Sequence, residues 1–369
     1  MHYTQGCIQY YPCSQHGKAE DVGKRVTIQD IADSLGLSRN TVSKALNNSE
    51  GLADATRERI LQAAMDMGYK QFAYARTLMD HQGDAPTELL VKGEKREIAV
   101  LSTLFLTSPH FASLMLDGIQ GELTQLGLTL NSHRVTYANI EEMTLPITLN
   151  LDRVAAIICI ELFNQQYDEM ICGLDIPVLF VDGPARVHGE TLPCDQLYME
   201  NTTQVMKLVS DMLSKGYTKI GFMGDWEHCQ SFFERYSAFR LAMMLNDVPV
   251  EKHFCLNSNA IDDIRVRINS LEELPDLFIC ANDFVALDVL QALRERGLDV
   301  PRDVLLAGFD DSAESRRCMP QLTTIHIHTQ VMAYSAVQLL RSRIQEPSLD
   351  YRQMYTETDL IYRASTTRE

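Results

Sequence analysis

Twenty-two residues near the front of the chain, Val26 to Asn47 (VTIQDIADSLGLSRNTVSKALN), leave little freedom in how they fold. Ile28, Ile31, Ala32 and Leu35 recur at i, i+3, i+4 and i+7, the spacing of one buried helical face. Thr27 is a good N-cap, and Asp30 three residues on completes a capping box. Gly36 breaks this helix and Leu37 is the apolar turn residue. Ser38 caps a second helix, whose apolar face is Val42, Ala45 and Leu46. Arg39, Asn40, Lys44 and Asn47 fall on the opposite face. The pattern is a helix-turn-helix, in which the second helix enters the DNA major groove with its N-terminal side chains leading. A surface helical hairpin with one polar face has the same periodicity, so spacing alone leaves both readings open.

The whole-chain numbers narrow the classes. A chain of 369 residues suits two or three domains. Its 45% hydrophobic and 22% charged content is that of an ordinary soluble globular protein. No run approaches the length of a membrane span, and no basic-then-apolar signal opens the chain, so a cytoplasmic location is expected. Nine cysteines are scattered singly, which argues against a disulfide framework; Cys159 and Cys280 lie in apolar runs and read as buried thiols. The net charge of −17 argues at first against a nucleic-acid partner. Lys24 to Met79, however, holds eight bases against six acids, a net +2 that leaves −19 on the rest. A head this weakly basic gains little from long-range attraction, so tight binding to DNA requires specific contacts made by two heads.

After a third helix from Ala53 or Asp54 to Met67, ended by Gly68, the chain turns polar. From Glu97 strands and helices alternate. Ile98–Leu101, Ala155–Ile160, Val178–Val181, Lys219–Met223, Leu277–Cys280 and Val304–Phe309 are short apolar runs of the kind found in buried parallel strands. Between them, helical spacing marks Phe111 to Leu126, Val205 to Leu213, Phe232 to Met243 and Ala286 to Leu293. This is a doubly wound α/β plan, long enough for two lobes.

Open parallel sheets bind ligands beyond the C-terminal strand ends, at the switch in strand order. The polar residues there are Ser102 and Thr103, Asp182, Gly224 and Asp225, Asn282 and Asp283, and Asp310. Arg235 lies one turn into a following helix. Carboxylates, an amide and a guanidinium supply the fixed acceptors and donors that a polar ligand requires. Structural roles compete: Asp310 as a cap, Asn282 as a turn tie, Arg235 as a surface partner of Glu234 or Asp225. Trp226 and His228 either stack on a ligand or cover a loop. His326 and His328 face one side of a strand, where a ligand-lining or core role outweighs metal binding. No Gly-x-Ser-x-Gly elbow, Walker-type loop or HExxH occurs, so no enzyme, metal or cofactor is expected.

The opening stretch resembles the start of lactose-repressor/galactose-repressor family regulators, V-T-[IL]-x-D-[VI]-A-x-x-[AL]-G-[VL]-S-x-x-T-V-S-[RK]-x-[LI]-N. Thr56-Arg57, Met67-Gly68-Tyr69, GYTKIGFMGD, ERYSAF, LFICANDFVALDVLQALRERGLDVPRDVLLAGFDDS, PQLTTI and LIYRAST extend the resemblance from about Lys24 to Thr366. It implies a three-helix helix-turn-helix head followed by a two-lobed, periplasmic-binding-protein-like, doubly wound α/β body that binds an effector and dimerises. The expected divisions are 1–23, a disordered extension or coding read from too early a start; 24–70, the head; 71–96, hinge and linker; and 97–369, the body. The implied partners are a near-palindromic double-stranded operator, a second copy of the chain and a small polar effector, with sugars one candidate class. No membrane partner is expected. Repressor and activator, sugar and non-sugar effector, all stay open.

Site residues follow residue by residue. Arg39, Asn40 and Lys44 are expected to read bases, Ser38, Thr41, Ser43 and Asn47 to hold phosphates, and Thr27 to belong to the same DNA-binding set. In the hinge, Ala75, Arg76 and Leu78 keep the family spacing, which implies a Leu78 wedge in the minor groove. Gln71 and Phe72 replace the usual Pro-Asn start, so a plain tether is the competing reading. The family's effector positions fall on Asp182, Arg235, Asn282 and Asp310, to which strand-end placement adds Ser102 and the ligand-lining reading of its strand adds His326. Met199-Glu200 stands where relatives often have Gly-Ala, which points to an unusual effector or a different lobe closure.

Overall fold

Local capping shapes the head. The computed structural model describes residues 26–46, 52–67, 95–103, 111–187, 189 and 191–368. Met1 to Gly23, Asn47, Ala75, Leu78 and all of the hinge and linker but Lys95 and Arg96 lie outside them. The chain divides into two compact units, Met1–Ala85 and Pro86–Glu369. In the first, α1 (Ile28–Leu35) starts at Thr27, whose hydroxyl accepts from the Asp30 amide at 3.2 Å while the Asp30 carboxylate accepts from the Thr27 amide at 2.8 Å. Gly36 ends it at φ +65°, a conformation that glycine adopts without a Cβ penalty. Helix α2 (Arg39–Leu46) is capped by Ser38, which accepts from the Thr41 amide at 3.1 Å. With α3 (Asp54–Asp66) these helices bury Ile31, Ala32, Val42, Ala45, Ile60 and Ala64 in one small core. Thr27→Ala removes one arm of the box and is expected to cost about 1 kcal/mol of helix stability. Native-state hydrogen exchange checks this, with unchanged protection in α1 as the contrary result.

The second unit holds two parallel sheets. The first lobe contains β1 (Glu97–Ser102), α4 (Phe111–Gln125), β2 (Thr129–Arg134), α5 (Tyr137–Glu141), β3 (Val154–Ile160), α6 (Gln165–Cys172), β4 (Val178–Val181) and β5 (Asp195–Met199). The chain then crosses to α7 (Thr203–Ser214), β6 (Ile220–Met223), α8 (Gln230–Leu245), α9 (Ile261–Ser270), β7 (Leu277–Cys280), α10 (Asp283–Glu295), β8 (Leu305–Ala307), α11 (Ala313–Arg317) and β9 (Thr324–Ile327). It returns through α12 (Thr329–Gln345) to β10 (Gln353–Thr356) and ends in β11 (Thr358–Ile361), paired antiparallel with β9. Helix α12 packs on α4 and the first sheet. Leu114 of α4, read as part of its apolar pattern, is 55% exposed because it lies off the face that meets the sheet.

Strand order fixes where a ligand can enter. The six-stranded sheet runs β10-β5-β4-β3-β1-β2, so the order reverses at β1 and β3. The smaller sheet runs β6-β7-β8 and is extended by bridges from Met223 to Leu256 and from Ala307 to Thr323. Its order therefore reverses at β6 and β7. Gly224, at φ +144°, makes that junction tight: a Cβ there would lie 2.3 Å from the Ala281 Cβ. The strands are buried on both faces, which is why they read as continuous apolar runs. One apolar cluster runs through both lobes, from Ile98 and Ile158 to Phe222 and Ile279. Among the described residues all seven cysteines are free, with Cys159 and Cys280 buried.

Candidate functional site

Between the C-terminal strand ends of the two lobes lies a cavity of about 190 Å³. Asp182, Arg235, Asn282 and Asp310 all line it. They come from four different places: the ends of β4, β7 and β8, and the second turn of α8. Glu161 at the end of β3 and Met199 at the end of β5 join them. Glu161, Asp182 and Asp310 hold φ of +55°, +62° and +114°. Each such non-glycine conformation costs on the order of 1–3 kcal/mol and persists where the surrounding structure enforces it. Here it turns a carboxyl-bearing residue at the end of a buried strand into the cleft.

Arg235 is the fixed point. It is 3% exposed, and its Nε donates to Asn201 Oδ1 at 2.9 Å, its Nη1 to the Ala281 carbonyl at 2.7 Å. Asp310 Oδ1 lies 3.7 Å from Nη1, and the guanidinium sits 3.5 Å from the Phe309 ring centroid. Burial lowers the Arg235 pKa, with Asp310 working in the other direction. Burial also pushes the Asp310 carboxyl well above the usual carboxylate range, despite Arg235 beside it.

Asp182 has two jobs. Its Oδ1 accepts from the Gly183 amide at 2.9 Å and from the Ser231 amide at 3.1 Å. Ser231 is in the first turn of α8, whose own N-cap, Cys229, makes no side-chain cap bond. A carboxylate of one lobe thus caps a helix of the other, where the helix dipole favours negative charge. Burial still raises its pKa, the hydrogen bonds notwithstanding. Asn282 is both a cap and a lining residue, since its Oδ1 accepts from the Val285 amide at 2.9 Å at the start of α10.

Two of the six expected effector residues lie elsewhere. Ser102 is buried and does not line the cavity. His326 is drawn away by Asp311, with Nδ1 to Oδ2 at 3.0 Å, and His328 pairs with Asp359 at 3.1 Å. Trp226 stacks on Tyr236 with centroids 4.0 Å apart, whereas His228 faces the cavity beside Phe163. Asp283 is wholly buried and accepts from Thr324 Oγ1 at 2.6 Å and the Ser312 amide at 2.7 Å, a structural role. Sequence reading missed Glu161, whose signal was available: it is the first polar residue after Ile160. The rings of Phe111, Phe163, Phe232 and Phe284 were not separable from core aromatics by spacing.

In the head, Arg39, Asn40 and Lys44 are exposed together on α2. Thr41 and Ser43 are half-buried. Thr27 and Ser38 are engaged in capping, and Ser38 Oγ lies 2.8 Å from Thr41 Oγ1. The DNA-binding expectation for these residues is compatible with capping only through their remaining lone pairs and protons.

Residues 27–71 match the bacterial regulatory proteins of the lacI family, and residues 209–366 match the periplasmic binding protein-like domain. The HTH-type transcriptional repressor PurR of Vibrio parahaemolyticus serotype O3:K6 (strain RIMD 2210633) is 26% identical over 349 residues, covering 91% of this chain and 97% of its own. The HTH-type transcriptional regulator GalR of Lacticaseibacillus casei is 28% identical over 352 residues, covering 92% and 99%. The fold is shared with the Lac repressor dimer bound to operator and the anti-inducer ONPF, at TM-score 0.63 and 21% identity over 94% of this chain and 100% of that one. The transcriptional regulator CelR–cellobiose complex gives TM-score 0.64 and 20% identity over 92% and 100%. A helix-turn-helix head joined to a two-lobed binding body defines a DNA-binding transcriptional regulator, not an enzyme. The head is thus a DNA-binding domain of the lacI type and the body a periplasmic-binding-protein-like domain, the combination carried by the PurR and GalR relatives.

Proposed function

We propose that this regulator is a cytoplasmic repressor that binds a near-palindromic operator as a homodimer and is controlled by a small polar effector in the body cavity. The observation that carries this reading is the convergence of Asp182, Arg235, Asn282 and Asp310 on one cavity at the strand-order switch. At about 190 Å³ the cavity is smaller than the roughly 300–1,000 Å³ that holds drug-sized ligands, which favours a molecule of monosaccharide size. The relatives named as repressors support the sign of regulation. Residues 24–70 then act as reader, 71–96 as hinge and linker, and 97–369 as sensor and dimerisation domain. Among the described residues no helix is long and apolar enough to cross a membrane.

Selection on random DNA with the full-length protein tests the DNA-binding half. A near-palindrome is the expected motif, since a two-fold dimer presents two equivalent α2 helices. Arg39 stands in the first turn of α2, where a bidentate contact to guanine discriminates by about 1–3 kcal/mol. Arg39→Ala is therefore expected to relax one base pair in each half-site. A single half-site motif for the wild type argues against the dimer, and an unchanged motif for the variant removes Arg39 from the readers.

A further inference from the structure

We propose that the effector is a cation: the body cavity selects a small hydroxylated or chain-like molecule bearing a protonated amine over neutral and anionic analogues. This rests on the reading of the cavity as the effector site, and names the chemistry of what that site takes.

The charge balance of the lining is lopsided. Glu161, Asp182 and Asp310 face the interior, with Asp288 also on the wall, against one guanidinium, Arg235, among the described lining residues. Arg235 spends two of its five N–H groups on the Asn201 side-chain oxygen and the Ala281 carbonyl and lies on the Phe309 ring, with Asp310 at 3.7 Å as its nearest carboxyl, so its single charge is already shared within the wall. The chain from Glu97 through His133, which supplies Phe111 to the wall, contains no Lys or Arg. A phosphate or carboxylate placed here would stand among Glu161, Asp182 and Asp310 with one guanidinium to offset it, and its charge would oppose the ionisation of those carboxyls. A neutral polyol can donate hydroxyl hydrogens to these carboxylates but leaves their net charge in place. An ammonium group removes part of it and donates three hydrogens to acceptors at fixed positions. Phe111, Phe163, Phe232 and Phe284 add ring faces and edges around it, and a cation over such a face gains further attraction.

The electrostatics of Glu161 point the same way. Burial, and then the neighbouring Asp182, push its carboxyl up to about 7. Arg235, Asp310, His228 and Cys229 also line this cavity. Binding an ammonium favours the ionised form of Glu161, so affinity for an amine falls as the pH drops below about 7 and that carboxyl protonates.

The test is a thermal-shift and calorimetric titration of the full-length protein at pH 6 to 8. Cationic probes are glucosamine, galactosamine, glucamine and short diamines; neutral probes are glucose, galactose and the N-acetylated hexosamines; the anionic probe is glucose 6-phosphate. An amine is expected to raise the melting temperature while its N-acetylated form does not. Glu161→Gln is expected to weaken that amine about tenfold or more and to flatten the pH dependence. A neutral or phosphorylated sugar that stabilises more than every amine overturns the charge selection and leaves the effector reading standing. No response to any probe counts against the effector reading and this proposal together. Wild-type affinity and pH profile in Glu161→Gln, with its melting curve intact, also overturn the proposal.

Discussion

Asp195→Asn is expected to lower the melting temperature of the body by roughly 10 °C, from a loss of about 3–5 kcal/mol. Asp195 opens β5 and is 2% exposed. Its carboxylate is gripped by two arginines. Arg343 Nε reaches Oδ2 at 2.9 Å and Nη2 reaches Oδ1 at 3.0 Å, a bidentate pair. Arg352 adds its backbone amide at 2.8 Å and Nη2 at 3.2 Å. Arg343 also donates to the carbonyls of Pro347, Leu349 and Asp350, so it ties the turn after α12 to the start of β5. Neutralising the carboxylate leaves a buried guanidinium without its counter-charge, which is far costlier than losing an exposed pair. Burial works to raise the Asp195 pKa, but the hydrogen bonds from Arg343 and Arg352 outweigh it and hold the carboxyl below the usual range. The sign follows: its stabilisation is complete above the unfolded value of about 3.9 and is lost as pH falls through the lower folded value. Differential scanning calorimetry at pH 7 and again below pH 4 checks both parts. The deficit of the variant should be large at pH 7 and shrink in acid. A deficit under about 1 kcal/mol at pH 7 would show that the network contributes no more than a surface pair.

Arg235→Met is expected to uncouple the effector from the operator. The effector concentration needed to change operator affinity should rise more than about 100-fold, since the change removes a buried cation together with its bonds to Asn201 and Ala281 and its charge 3.7 Å from Asp310, a loss of several kcal/mol. Affinity for DNA without effector should stay close to wild type, because the change lies in the body. The physical loss is specific. Asn201 stands where the chain crosses from β5 to α7, and Ala281 follows β7; Arg235 bonds to both. Met fills similar volume but donates no hydrogen bond and leaves Asp310 without its cation. Arg235→Lys keeps the charge yet loses the planar fork and the stacking on Phe309, so an intermediate effect is expected. Operator gel shifts across an effector titration measure this, with melting curves for both variants as a control. A folded Arg235→Met protein with the wild-type effector response would remove Arg235 from the site.

The parts of the molecule that were legible in sequence are those governed by neighbours a few residues apart. Thr27 and Asp30 meet across one helical turn, and Gly36 ends α1 through its own backbone freedom, so the head could be read before it was seen. Val178–Val181 and Leu277–Cys280 are buried on both faces, and that environment selects unbroken apolar runs. Strands β2 and β10 carry no such run. They are the two edge strands of the first sheet, held by backbone pairing that leaves little mark on side-chain type. Asp182, Asn282 and Asp310 could be placed at strand ends, and Arg235 one turn into a following helix, because the alternation of elements reveals where strands stop. What each of them bonds to was decided by the tertiary structure alone. Arg235 finds its partners 34 and 46 residues away, and Asp182 caps a helix 49 residues on. His326 shows the converse, placed plausibly by its strand but captured by Asp311 and kept out of the cavity. Side chains within a turn of each other obey local geometry that the sequence contains. A cleft assembled from strand ends of two lobes exists only once the crossovers after β5, β9 and β10 have brought those ends together.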